Sequence, residues 1–177
     1  MTRLQDKQTG AKIRQITLLG MMLAMIVALA ALEHALPPLP GLPPGMRLGL
    51  SNVVVMYAIF FVGWRQAVLL AVLKSLFVMV IRGGVAALLS FSGGMLSVVG
   101  MIAISFLLGA GVSYLALSIA GAILHNAAQM AVAAALLGMS GRLVLFYLPV
   151  LIVAGLVMGT VTGTLLRVVM PVFSRRP

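Results

Sequence analysis

Glu33, Lys74, His125, Asn126 and Gln129 are the side chains whose positions call for a chemical reason, because each interrupts a long apolar run. An ionisable group inside a membrane span costs about 2.5–3.5 kcal/mol or more, so such groups usually face a cavity or a partner. Glu33 and Lys74 read either as walls of a polar chamber or as an ion pair tying two spans together. Arg82, followed by Gly83-Gly84, can offer a guanidinium and backbone amides to an anion, and Ser92-Gly93-Gly94 can do likewise. The same glycine pairs also suit ordinary turns. Arg47 reads as an anion contact or as a cation snorkelling to the interface. Farther on, Ser118, Gly121, His125 and Gln129 recur at helical spacing, with Asn126 about 100° around from His125. That polar stripe suits a binding face or interhelical hydrogen bonding. With two histidines on different segments, one glutamate and no cysteine, the chain predicts no metal site, and it predicts no cofactor.

These residues must be positioned by elements that live in lipid. The chain is 63% hydrophobic and 8% charged with a mean hydropathy of +1.23, well above the roughly 45–50% apolar content of soluble domains. A net charge of +10 would suggest nucleic acid in a soluble protein. Here the cations flank apolar runs, where they orient spans and meet anionic lipid headgroups, so nucleic acid is excluded as a partner and membrane lipid is expected.

Six windows approach the roughly 20 apolar residues of a span: 13–36, 48–62, 66–81, 90–108, 113–137 and 143–169. The first follows basic residues as a signal peptide would, but its length and the later spans argue against cleavage. Prolines at 37, 38, 40, 43 and 44 make the first connection a stiff loop. Continuous hydrophobicity excludes alternating barrel strands, so the predicted fold is an all-α membrane protein, a six-transmembrane-helix bundle. Residues 13–172 form its single domain, between short cytoplasmic tails at 1–12 and 173–177.

Arg3, Lys7, Lys12, Arg14, Arg65, Arg167, Arg175 and Arg176 gather at one end of this bundle, and Arg47, Arg82 and Arg142 at the other. The positive-inside rule then puts both termini in the cytoplasm. Glu33, His34, Arg47, Asn52, Arg82, Ser90, Ser92, Gly93 and Gly94 are expected in the outer third, with Lys74, His125, Asn126 and Gln129 near mid-membrane. Gly20, Ala24, Ala28 and Ala31 line one side of the first span, and Gly155, Gly159 and Gly163 one side of the sixth. Such small-residue stripes let helices approach closely, either a partner's or a neighbour's. Glu33 projects roughly opposite the first stripe.

Leu32-Glu33-His34, the proline-rich loop, Gly49-Leu50-Ser51-Asn52-Val53-Val54-Val55-Met56, Lys74, Arg82-Gly83-Gly84, Ser92-Gly93-Gly94 and Gly121-Ala122-Ile123-Leu124-His125-Asn126-Ala127-Ala128-Gln129 together resemble the Gx transporter family. Its members often carry the label heptaprenyl diphosphate synthase component one. The chain is also similar to the S components of energy-coupling factor (ECF) transporters, six-helix proteins of the bacterial cytoplasmic membrane that capture vitamins or similar solutes from outside. The resemblance implies an outward-opening pocket, a coupling membrane subunit and two ATPase subunits as partners, and an alanine-xxx-alanine contact face matched by Ala24 and Ala28.

Three readings follow. The first is a substrate-binding component that takes up a small anionic solute, vitamin-like or an isoprenoid or quinone precursor, through Glu33, His34, Arg47, Asn52, Lys74, Arg82, Ser92, Gly93, Gly94, His125, Asn126 and Gln129. The second is an accessory subunit in prenyl diphosphate synthesis, and the third a stand-alone secondary carrier. Catalysis by this chain is not expected. Prenyl elongation holds magnesium with clustered aspartates, and the only Asp here is Asp6. A phosphate loop ending in Lys-Ser or Lys-Thr is also missing, so any ATP is hydrolysed by partners.

Overall fold

A computed structural model of the chain describes residues 2–35 and 49–174. Its helices are α1 (Thr2–Ala35), α2 (Asn52–Phe61), α3 (Trp64–Arg82), α4 (Gly84–Leu108), α5 (Tyr114–Leu137) and α6 (Gly141–Ser174), with a 3-10 turn at Gly109–Gly111. Five are long and apolar enough to cross a membrane: Lys12–Glu33 within α1, α3, α4, α5, and Gly141–Arg167 within α6. The outward surfaces stay apolar, as at Val80, Phe106 and Leu107, each more than 80% exposed, which suits lipid as the surrounding solvent. The chain is an integral membrane protein.

The second window departs from the sequence expectation of a span over 48–62. Its helix, α2, has 10 residues, about 15 Å and so half of the ~30 Å hydrocarbon thickness. Gly49 at φ +82° turns the chain in a conformation that favours glycine, and 49–51 approach the helix without helical structure of their own. Asn52 therefore sits at mid-depth rather than in the outer third.

Alternating chain direction gives the bundle two ends. One, the basic end, carries the α2–α3 turn and the 3-10 turn; the opposite end carries the α3–α4 and α5–α6 connections. Gly83 alone joins α3 to α4, and its φ of +83° reverses the chain within one residue. Neighbours pack in the order α3, α4, α5, α6, while α1 lies against α2 and α3. Short α2 is the hub, touching α1, α3, α4 and α6. Its Val54, Val55 and Ala58 join Met22, Ile26, Ala67, Leu70, Ala71 and Val98 in the main core. Met56 faces Met101, Leu117 and Leu166 in a second cluster.

The glycine stripe of α6 packs within this bundle. A Cβ on Gly159 would lie 2.5 Å from Ile119 Cα, and one on Gly155 3.2 Å from Ile123 Cα, so α5 and α6 touch backbone to backbone. The stripe of α1 does the reverse: Gly20, Ala24, Ala28 and Ala31 are all exposed, and nothing lies within 4 Å of a Cβ built on Gly20.

Candidate functional site

Four helices and the 49–51 segment enclose a cavity of about 50 Å³ toward the end opposite the basic one. Glu33 reaches it from α1, Gly49 and Ser51 from the pre-helical segment, Lys74 and Arg82 from α3, Ser90 from α4, and His125 and Gln129 from α5. Ala30, Val78, Ala86 and Leu89 supply the apolar wall. These positions share one level for simple reasons of rise. Lys74 lies ten residues after the start of α3 and Asn52 ten before the end of the α2 segment at Val62, each about 15 Å from the basic end.

The charged pair clamps the 49–52 segment from two sides. The Gly49 N–H donates to Glu33 Oε1 at 2.6 Å, and Lys74 Nζ donates to Asn52 Oδ1 at 2.6 Å. Glu33 and Lys74 are 7% and 5% exposed and attract one another electrostatically. Hydrogen bonds of the two charges thus go to the 49–52 segment, to a backbone amide and to a side-chain amide, and both charges line the cavity. Gly49 is tightly packed, since a Cβ there would lie 2.6 Å from Asn52 Nδ2 and 3.3 Å from His125 Nε2.

On α5 the Gln129 side-chain amide donates to His125 Nε2 at 2.8 Å, which leaves the ring proton on Nδ1. Three buried polar atoms of the lining, Ser51 Oγ, Ser90 Oγ and Gln129 Oε1, have no hydrogen-bond partner among the described residues, while the His125 ring meets the Gly93 backbone. Each unsatisfied buried group costs about 1–3 kcal/mol. Their collection in one chamber, with two cations, is what a polar guest would satisfy.

Several expected site residues are elsewhere. Asn126 donates through Nδ2 to the Leu151 carbonyl of α6 at 3.0 Å, so it joins helices instead of facing the cavity. Ser92-Gly93-Gly94 do not open a helix, because α4 starts at Gly84 and they fall within its interior. Ser92 Oγ bonds the Leu89 carbonyl of its own turn. Gly93 makes room for the His125 ring, as a Cβ there would lie 2.7 Å from Cε1, and Gly94 faces Ala71 of α3. Gly83 donates its amide to the Met79 carbonyl. Arg47 and the proline loop lie outside the described residues, as does the side chain of His34. Ser51 and Ser90, absent from the expected binding set, do line the cavity; serine is common in spans, and only the cluster gives these two meaning.

A second, smaller cavity of about 20 Å³ lies beyond Gly49 and Asn52, among Ser97, Met101, Ser118, Gly121 and Thr162. Among the described residues no group of three His, Cys, Asp or Glu side chains is placed to hold a metal ion.

The S component of a bacterial ECF transporter has a similar fold: the match has a TM-score of 0.70 and 24% identity over 93% of this chain and 99% of that one. No curated protein matches the chain. Residues 22–169, which include every segment lining the cavity, match the model of the family described as heptaprenyl diphosphate synthase component I, and the chain belongs to that family.

Proposed function

We propose that this chain is the substrate-capture component of an importer of ECF type, taking a small anionic solute from outside the cytoplasmic membrane. The observation that carries the reading is the cavity itself: Lys74 and Arg82 against a Glu33 already holding the Gly49 amide, with three polar atoms around them that no described residue satisfies. A chamber with surplus positive charge and a partly apolar wall fits a carboxylate or phosphate on a compact apolar body. The positive-inside rule turns this chamber away from the cytoplasm, with both termini inside.

Its present volume of about 50 Å³ has room for three or four waters. Ligand clefts hold ~300–1,000 Å³, so a solute needs more room than this, and the capture reading expects the clamped 49–52 segment to yield. The exposed Gly20, Ala24, Ala28 and Ala31 face of α1 is where a coupling subunit would pack, opposite buried Glu33. Turnover of ATP belongs to separate subunits in this reading.

Prenyl diphosphate synthesis by the chain itself is the weaker reading, because its one aspartate is Asp6 and its one glutamate is engaged at Gly49. Uptake into proteoliposomes tests these readings directly. Capture predicts uptake only with coupling and ATPase subunits and ATP. Uptake by the chain alone would establish the carrier instead, and product formation from prenyl diphosphates would establish the synthase subunit.

A further inference from the structure

At the basic end a lateral groove of about 590 Å³ opens between α2, α4, α5 and α6. Ile59, Ile102 and Leu117 form its floor. Its wall is aromatic, with the Phe60 and Tyr114 rings edge to face at 4.8 Å and Phe106 beside the opening at 81% exposed. The volume is ligand-sized, and the Ser105 and Ser113 hydroxyls in its lining are already bonded to the Met101 carbonyl and the Ala116 amide, so a water-borne solute is a poor match.

One cation sits at the groove's end. Gly163 lies against Leu115 and Ser118, which puts Arg167, one turn farther along α6, level with the 3-10 turn and the start of α5. That is the level of the bundle's edge, where headgroups begin. Arg167 is exposed and lines the groove. Glu33, the only carboxylate among the described side chains, is at the other end and holds Gly49.

We propose that this groove binds an anionic phospholipid, with its phosphodiester on Arg167 and an acyl chain laid along Ile102, Phe106 and Leu117. The pairing of a bidentate donor at headgroup depth with an apolar trough running into the membrane is complementary to that molecule at both ends. The groove is separate from the solute cavity, which lies toward the opposite end.

Native mass spectrometry of the purified full chain tests it, with phosphatidylglycerol and phosphatidylcholine of identical acyl chains and with glycerol phosphate as an acyl-free control. Wild type should retain phosphatidylglycerol about five-fold over phosphatidylcholine, the effect of one cation near the headgroups. Arg167→Gln should bring the two to parity and Arg167→Lys should keep most of the preference. Ser105→Trp, which fills the groove without touching the charge, should lower retention of both. A phosphatidylglycerol carrying a photoreactive acyl chain should crosslink to 102–106 and 59–60. Equal retention by wild type, an undiminished preference in Arg167→Gln, or crosslinks spread evenly over the exposed helices would overturn the proposal in favour of unselective annular lipid. Glycerol phosphate binding as tightly as the lipid would overturn it in favour of a free-anion site.

Discussion

Replacing Lys74 with methionine separates the two roles of this side chain. Lys74 is 5% exposed, donates through Nζ to Asn52 Oδ1 at 2.6 Å and lines the solute cavity. Methionine keeps most of the length and loses the charge. For stability two effects oppose: Asn52 loses a bond worth about 1–3 kcal/mol as a stranded acceptor, while removal of a buried ion relieves a desolvation cost of several kcal/mol. The fold should therefore survive. For an anionic ligand nothing offsets the loss, because a hydrogen bond to a charged group contributes about 1.5–3 kcal/mol, and Kd should rise about 10–150-fold. Lys74→Arg keeps the charge with a different reach and should cost less than tenfold by the same scale. Arg82→Gln, at the end of α3 and half-buried, should weaken binding about 2–5-fold, the worth of a partly solvated charge. Isothermal titration calorimetry on detergent-purified variants of matched thermal stability reads all three. Affinity within twofold of wild type in both Lys74→Met and Arg82→Gln would refute the reasoning, and tighter binding by Lys74→Met would mean a ligand that is not an anion.

Other substitutions test the packing and the partner face. Gly159→Leu drives a side chain into the Ile119 backbone and should destabilise by about 1–3 kcal/mol or more, whereas Gly20→Leu, with nothing within 4 Å, should leave thermal unfolding unchanged. Asn126→Leu should cost about 0.6–1.7 kcal/mol with ligand affinity intact, while Gln129→Leu, which also abandons His125, should reduce affinity. Ala24→Leu with Ala28→Leu should abolish co-purification with a coupling subunit and leave solute binding untouched; retained assembly would remove the partner face.

The spans were legible because about 20 apolar residues have few other uses, and the polar residues within them because lipid penalises them heavily. Direction was harder. His125 and Asn126 are adjacent, yet about 100° of helix rotation sends one to the cavity and the other to the Leu151 carbonyl. Residues 49–51 read as the first turn of a helix by hydropathy alone, and what interrupts them is the backbone of Gly49, held by a glutamate sixteen residues earlier. No local pattern encodes that bond. The two small-residue stripes are equivalent as spacing, and only the packed bundle separates the α6 stripe, pressed on α5, from the α1 stripe, left open.

Solute capture requires the cavity to hold an anion without help from any other subunit. Small molecules extracted from the chain purified alone from native membranes, and identified by mass spectrometry, test that capacity most directly. A single anionic solute in near-stoichiometric amount, lost from Lys74→Met and Arg82→Gln, is the predicted result. A cationic or neutral solute, the same yield from the folded variants, or no solute from chain that remains folded would contradict it.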